Sequence, residues 1–232
     1  MDFGLNILLV IAILTLPAIA QALITVRYKK YSKEENSVNL SGFETARKIL
    51  DANGLGDMDI VSTPGTLTDH YDPSRKVVRL SQSNFDDTSI AAMAVAAHEC
   101  GHAIQDKERY FMMRLRSAIV PIVKIGTGLS YIIITIGFVL ELLNLIYIGI
   151  ALTGLGLLFQ LITLPVEFDA SRRGLNELLD LGIVDSRELS NCKGMLTAAA
   201  LTYVAAVATS LLEILRLVLM ARRRDWYNVK SS

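Results

Sequence analysis

Two histidines and a glutamate near the middle of the chain have the types and spacing of a metal-dependent hydrolase site. The pentapeptide His98-Glu99-Cys100-Gly101-His102 has the HExxH pattern, in which two imidazoles one helical turn apart bind zinc and the glutamate acts as general base. On a helix the two histidines lie about 40° apart around the axis, with Glu99 beside them. The 232 residues include 3 histidines, and two of them fall in this motif. The pattern predicts a zinc hydrolase.

The motif is predicted to lie well inside a helix. The segment Asp86–Ser89 offers capping side chains, and the alanine-rich run Ile90–Ala97 follows it. We expect the face opposite the histidines to pack closely on a neighbouring helix, because it carries small and aliphatic residues: Ile90, Ala94, Ala97, Gly101 and Ile104. The alternative interpretation makes the two histidines satisfied surface residues and Glu99 a solvated charge.

A third metal ligand must come from elsewhere in the chain, since a catalytic zinc ion usually has three protein ligands and one position open to water. The segment Leu164–Arg173 contains two acidic residues, Glu167 and Asp169. Glu167 is the preferred ligand, which would make the set gluzincin-like, and Asp169 is the alternative. Both carboxylates are also explained by favourable electrostatics at a helix N-terminus, with Pro165 in the first turn. We expect one Zn²⁺ per chain, preferred over other divalent ions because of the ligand types.

Long apolar segments predict a membrane protein. Apolar residues make up 52% of the chain and the formal net charge is +0. No charged residue occurs from Phe3 to Val26, which exceeds the roughly 20 residues needed to cross a bilayer. A cleaved signal peptide is the competing interpretation, but the chain starts with Asp2 rather than a basic cluster and the apolar run is too long.

Three further apolar stretches follow. Ala118–Leu140 and Leu142–Leu164 predict a transmembrane helical hairpin, and Met195–Leu219 predicts a fourth helix. In that fourth helix Glu213 and Arg216 are three residues apart, a spacing that lets them pair on one face. The sequence leaves open whether this fourth helix crosses the membrane.

The predicted organisation alternates membrane and water-facing segments. We expect a mostly helical membrane protein with about four transmembrane helices and a zincin-like HExxH domain that contains a small β-hairpin or sheet. The segments are a transmembrane anchor at 3–26, a first catalytic part with the HExxH helix at 28–117, a transmembrane hairpin at 118–164, a second catalytic part with the third zinc ligand at 165–196, an apolar transmembrane helix at 197–221 and a polar tail at 222–232.

Within the first water-facing part, Ser41–Asn53 is predicted to be a helix closed by Gly54 and Gly56. Asp59–Ser62 and Lys76–Ser81 are predicted to form a small hairpin ahead of the HExxH helix, with turn residues at 72–75. The strand around 77–80 is a candidate to align an extended substrate by edge pairing.

Basic residues beside the spans predict an active site on the cytoplasmic face of the cell membrane. By the positive-inside rule the segments around Arg27–Lys33, Arg114–Arg116 and Arg172–Arg173 are cytoplasmic. Arg222–Arg224 do not fit a fourth crossing, so either that helix does not fully cross or the orientation is wrong. The 2 cysteines form no disulfide framework. Because the basic residues cluster at membrane borders, we expect lipid contact and no nucleic-acid binding.

The chain resembles the YugP-type membrane zinc metallopeptidases. The resemblance rests on His98–Gln105 and Leu164–Arg173, and also on Asp69–Pro73 and Ala199–Ala206, so that it covers nearly the whole chain. It implies neutral zinc-dependent peptide hydrolysis at a membrane, with peptides or membrane-protein segments as substrates. Neither the physiological substrate nor the oligomeric state follows from it.

A more distant similarity is to HtpX-like membrane proteases, in which the glutamate ligand begins an E-x-x-x-D pattern. The aspartate of that pattern supports the zinc-bound histidines. The matching position here is Ser171, so the expected carboxylate partner is missing. Asp169 or a backbone carbonyl is the alternative partner.

The expected reaction is hydrolysis of a peptide bond by a zinc-activated water. Glu99 would take the proton of this water and pass it to the leaving amine. His70 and Tyr203 are candidates to stabilise the oxyanion, although a loop histidine is often a turn residue and a tyrosine in an alanine-rich helix usually packs. Two other functions stay open: an intramembrane protease, and a non-enzymatic membrane protein whose structural zinc would need a fourth ligand such as His70.

Overall fold

The fold is mostly helical, with one small sheet. The computed structural model describes residues 3–231, and the side chains of residues 3–223. Within this range the elements are α1 (Phe3–Tyr31), α2 (Gly42–Ala52), β1 (Asp59–Thr63), β2 (His70–Asp72), β3 (Val77–Ser81), α3 (Gln82–Phe85), α4 (Ile90–Lys107), α5 (Phe111–Val139), α6 (Leu143–Asp180) and α7 (Ser186–Ser231).

Two compact units share these elements. The first, which we call the apolar unit, comprises Met1–Ala20, Leu115–Leu164 and Thr202–Ser232. The second, which we call the sheet unit, comprises Gln21–Arg114 and Pro165–Leu201.

The apolar unit contains most of the length of four helices that are long and apolar enough to cross a membrane: Phe3–Tyr31, Phe111–Val139, Leu143–Asp180 and Ser186–Arg223. Large apolar side chains on these helices are exposed, as Phe3 (75%) and Val139 (73%) illustrate, and lipid would shield such surfaces. Glu213 accepts a hydrogen bond from the hydroxyl of Tyr131 at 3.2 Å, and the Nε of Arg216 donates to Asn6 at 3.0 Å. The two residues that could have paired on α7 thus bind neighbouring helices.

The helices cross the segment boundaries that the sequence suggested. Helix α6 continues through 164/165, so Pro165 lies inside the helix rather than in its first turn. There it removes one backbone hydrogen bond shortly before Glu167. Helix α7 likewise continues through 196/197 and 221/222 to Ser231. The predicted polar tail 222–232 therefore overlaps this helix, and its last residue lies outside the described range.

Helix α2 begins and ends as its sequence predicts. Ser41 caps its first turn: the Ser41 hydroxyl accepts from the backbone N–H of Glu44, and the Glu44 carboxylate accepts from the backbone N–H of Ser41. This reciprocal pair satisfies two donors that the helix start leaves open. The end is marked by Gly54 with φ 65°, a conformation that glycine adopts at little cost. Ile49 and Leu50 are fully buried in the core of the sheet unit.

The three-stranded sheet has the order β1-β3-β2. The predicted hairpin between 59–62 and 76–81 is wrong, because β1 and β3 pair in parallel and the hairpin is formed by β2 and β3. Its turn is the predicted one, since the Asp72 carboxylate accepts from the backbone N–H groups of Ser74 and Arg75. The sequence missed β2 because it has only three residues. Since β3 is central, the substrate alignment suggested for 77–80 has no free edge there.

Helix α4 carries the HExxH motif through the middle of the sheet unit. Ser89 caps it by accepting from the backbone N–H of Ala92 at 3.2 Å, as predicted. Its small residues allow close packing on α6: a Cβ on Gly101 would lie 2.2 Å from the carbonyl oxygen of Ala170, and a Cβ on Gly174 would lie 2.3 Å from that of Ala97. The sequence predicted that this packing face lies opposite the histidines. Helix α6 instead contacts the packing face at Gly101 and also brings Glu167 to the two histidines. At about 100° per residue, Gly101 lies only about 60° from His98.

Candidate metal centre

Three side chains from α4 and α6 present their ligand atoms to one another. Glu167 Oε2 lies 3.3 Å from His98 Nε2 and 3.5 Å from His102 Nε2. The three ligand atoms all lie within 4.8 Å of one another. His102 and Glu167 are 7% and 3% exposed. The structure thus brings together the two histidines of the motif and the preferred third ligand.

The two distances that Glu167 makes to the histidines fit a tetrahedral zinc ion. Zinc binds histidine nitrogen and carboxylate oxygen at about 2.0–2.2 Å, so two such ligands on a tetrahedron are separated by roughly 3.3–3.5 Å. The two separations that Glu167 makes, 3.3 and 3.5 Å, match this range. A group of two imidazoles and one carboxylate is also the chemistry that a catalytic zinc site uses.

The hydrogen bonds behind His102 give a second, independent test. Gln105 is fully buried, and its amide nitrogen donates to the Val166 carbonyl at 2.8 Å and to Asp169 Oδ2 at 3.0 Å. With both amide protons used, its oxygen faces His102 Nδ1 at 3.0 Å and accepts from it. In neutral His102 the proton then sits on Nδ1, and Nε2 offers a lone pair to the Glu167 carboxylate. A metal cation between these two electron-rich atoms, or a proton on Nε2, satisfies both of them, so the arrangement fits a zinc ion.

His98 is held in a similar way by a different partner. Its Nδ1 lies 3.0 Å from the Ser171 hydroxyl, which can accept the Nδ1 proton and leave Nε2 free for the metal. Ser171 is the residue that stands where HtpX-like proteases have an aspartate. The hydroxyl therefore occupies the place of the missing carboxylate partner.

Asp169, the alternative third ligand, lies elsewhere. One of its oxygens accepts from Gln105, and both form ion pairs with the guanidinium groups of Arg172 and Arg173. Arg173 also pairs with Glu108 at the end of α4. Asp169 thus contacts the site through Gln105, and the group of three ligand atoms does not include it.

Glu99 is buried beside this group, with 7% of its surface exposed. Burial is the main reason why its pKa rises to about 7, and the nearby carboxylates of Asp69 and Glu167 raise the pKa further. His98 and the backbone of Tyr71 act in the opposite direction and lower the pKa. Tyr71 belongs to β2, so this edge strand lies next to the candidate general base.

The two candidates for oxyanion stabilisation are not part of the ligand group. His70 is exposed at the start of β2, and its Nδ1 lies 2.8 Å from the carbonyl oxygen of Thr68 in its own loop. Tyr203 is on α7, in the apolar unit, with 37% of its surface exposed. Their catalytic roles stay predictions.

A hydrogen-bond network that sequence reasoning missed holds the start of β2. Asp69 accepts from the backbone N–H and hydroxyl of Ser81 at 2.7 and 3.0 Å and from the Asn84 amide at 3.0 Å. Asn84 in turn accepts from the hydroxyl of Tyr28 at 2.8 Å. No local sequence pattern marks these contacts, whereas Gln105 had one signal: it follows His102 by three residues, which places it one turn along the same face.

Comparison with known proteins agrees with this geometry. The chain is 47% identical over 216 residues to “Putative membrane protease YugP” of Bacillus subtilis (strain 168), an alignment that covers 93% of this chain and 96% of that protein. No solved structure matches. The family described as “Putative neutral zinc metallopeptidase” matches residues 6–222, and the chain belongs to that family.

Proposed function

We propose that this protein is a membrane-embedded zinc-dependent endopeptidase with a zincin-like site. The observation that carries the proposal is the position of Glu167 Oε2, 3.3 and 3.5 Å from the Nε2 atoms of two histidines whose Nδ1 atoms face other partners. His98, His102 and Glu167 would hold the metal. One such group occurs among the residues whose side chains are described, which supports one zinc ion per chain.

A zinc ion bound there would lower the pKa of a water molecule toward about 7 and polarise the carbonyl of the scissile bond. Glu99 is the proposed general base. Burial raises its pKa to about 7 in the metal-free protein, and a base is most effective when its pKa lies near the working pH. Glu99 would remove a proton from the attacking water and deliver it to the amine that leaves.

Features of the sheet unit support catalysis over a structural zinc site. A structural site is closed by four protein ligands, whereas the group here has three among the described side chains. His70, the proposed fourth ligand, is exposed and lies against the Thr68 carbonyl of its own loop. These observations favour a site with one position left for water.

A site outside the hydrocarbon is favoured over an intramembrane one. Helix α4 is not among the four helices that are long and apolar enough to span a membrane. It lies in the core of the sheet unit, with Asp106 and Lys107 in its last turn. We further propose that the site faces the cytoplasm, because the basic groups near the first three spans follow the positive-inside rule. The substrates would then be peptides or membrane-protein segments near that surface.

The experiment that tests this function is elemental analysis of detergent-purified protein, with a casein cleavage assay on the same samples. We expect one zinc per chain and chelator-sensitive cleavage. Glu167→Ala should lose both, whereas Asp169→Ala should keep a larger share of its zinc. Glu99→Gln should keep zinc and lose cleavage. Zinc that is retained in all three variants, together with no cleavage by the wild-type protein, would instead indicate a structural zinc site.

A further inference from the structure

A groove between α6 and α7 adjoins the candidate metal centre within the sheet unit. It has a volume of about 330 Å³ and is lined mainly by apolar side chains, among them Phe168, Leu175, Leu179 and Leu196. Phe168 and Leu179 are 50% and 49% exposed. Exposed apolar surface of this kind, when it is concave, usually marks a binding site.

The groove reaches the site through Ser171. This residue lines the groove, and its hydroxyl lies 3.0 Å from His98 Nδ1. One imidazole ring therefore separates the near end of the groove from a proposed metal ligand atom. Because an extended polypeptide advances about 3.3 Å per residue, a side chain in the groove would belong to a residue within a few positions of the scissile bond.

The polar residues of the groove give its charge preference. Arg172 and Lys193 are both exposed and both line it, while none of its lining residues is acidic. Arg172 is paired with Asp169, and Lys193 carries no ion pair to the described side chains. A ligand of this groove would gain from an apolar group together with a negative charge.

We propose that the groove binds a large apolar side chain of the polypeptide substrate, with an acidic residue of the substrate beside Lys193. The inference rests on the proposed endopeptidase function and names the substrate class of that site. A site that buries such a side chain should favour leucine or phenylalanine over alanine by at least about tenfold in kcat/KM, since even one methylene in an apolar pocket is worth that order.

The test begins with the wild-type holoprotein and mapping of the bonds it cleaves in casein by mass spectrometry. Peptides built on a preferred site are then compared in pairs, with leucine or alanine at the groove position and aspartate or lysine at its neighbour. Thr197→Trp is the variant that fills the groove, because Thr197 is an exposed lining residue whose replacement leaves the core intact. Leu181→Trp, at an exposed leucine outside the groove, is the matched control.

We expect Thr197→Trp to reduce the leucine-to-alanine ratio of kcat/KM by at least about tenfold, with zinc content unchanged, and Leu181→Trp to leave the ratio as in wild type. Leu179→Ala provides a second variant and should shift the preference toward larger side chains. Lys193→Glu should reverse the preference for aspartate over lysine, whereas Lys193→Met should abolish it.

The outcomes separate the inference from the proposed function. Chelator-sensitive cleavage with a ratio that Thr197→Trp and Leu179→Ala both leave unchanged would overturn the groove assignment and leave the endopeptidase standing. Absence of cleavage by zinc-loaded wild-type protein would overturn both. If the same variants instead change only the amount of anionic phospholipid that copurifies, the groove is a lipid site and the proposal is wrong.

Discussion

Gly101 of α4 lies so close to the carbonyl oxygen of Ala170 on α6 that a Cβ at this position would be 2.2 Å away from it. This contact falls between the residues that supply the candidate ligands, since His98 and His102 flank Gly101 on α4 and Glu167 precedes Ala170 on α6. The absence of a side chain at Gly101 thus sets the separation at which the carboxylate meets the imidazoles.

We therefore predict that Gly101→Ala is destabilising and loses zinc. Alanine normally stabilises a helix interior by about 1 kcal/mol relative to glycine, but overpacking here should cost about 1–3 kcal/mol and push α6 away from α4. Zinc affinity and thermal unfolding of the detergent-purified protein measure the effect. Gly154→Ala is the control, because a Cβ at Gly154 would meet nothing within 4 Å. Equal behaviour of the two variants would contradict the packing argument.

Replacement of Gln105 tests how His102 is oriented. Gln105→Leu keeps the volume but removes the acceptor of His102 Nδ1 and the donor to Asp169. Loss of such a supporting contact typically weakens metal binding by about 10–100-fold. Competition with a chromophoric chelator gives the zinc affinity, and Gln82→Leu, at an exposed glutamine, is the control. Wild-type zinc affinity in Gln105→Leu would show that packing alone orients the imidazole.

Ser171 tests the same idea on the other histidine. Ser171→Ala should weaken zinc binding by less than Gln105→Leu, because His98 is more exposed than His102, at 16% and 9% of the side chain, and water can replace the lost hydroxyl. Ser171→Asp should bind zinc at least as tightly as wild type, since it restores a carboxylate partner of the kind that HtpX-like proteases use. The expected order of zinc affinity, from tightest to weakest, is Ser171→Asp, Ser171→Ala and Gln105→Leu. A larger loss of affinity in Ser171→Ala than in Gln105→Leu would contradict this argument.

These residues also show what the sequence could and could not predict. The motif spacing, the capping by Ser89, the glycines that close α2 and the length of the apolar runs are local properties, so they predicted α4, α2 and four long apolar helices. Coordination chemistry demands a third acidic or histidine ligand, which led to Glu167 with Asp169 as the alternative, but it does not decide between the two. Three features depend on residues far apart in the chain: the parallel pairing of β1 with β3, the hydrogen bonds that the Gln105 amide donates to α6, and the close approach at Gly101. A three-residue strand such as β2 also leaves no periodic signal.

The network around Asp69 leads to a prediction about catalysis without metal loss. Asp69→Asn removes an acceptor used by Ser81 and Asn84, so the start of β2 loses its anchor while the three ligands keep their positions. Because the backbone of Tyr71 in β2 lowers the pKa of Glu99, movement of β2 should disturb the candidate base, and we expect a lower kcat at unchanged zinc content. Asp59→Asn, at an exposed acidic residue of β1, should retain full activity. An equal loss of zinc and kcat in Asp69→Asn would indicate general unfolding instead.

The burial of Glu99 predicts how the stability of the metal-free protein depends on pH. Its pKa rises from 4.5 to about 7 on folding, so between these values the folded state binds a proton that the unfolded state has released. The contribution of this group to stability should therefore be highest below about pH 4.5, fall as the pH rises to about 7, and stay level above it, with a total change on the order of 3 kcal/mol.

Glu99→Gln carries no such charge and should unfold at a higher temperature than wild type at pH 8, and at a similar temperature at pH 5. Thermal unfolding in the presence of a chelator at both pH values measures this difference, with the exposed Glu35→Gln as control. If Glu99→Gln were no more stable than wild type at pH 8, the Glu99 carboxyl group would not have the raised pKa on which its proposed role as general base depends.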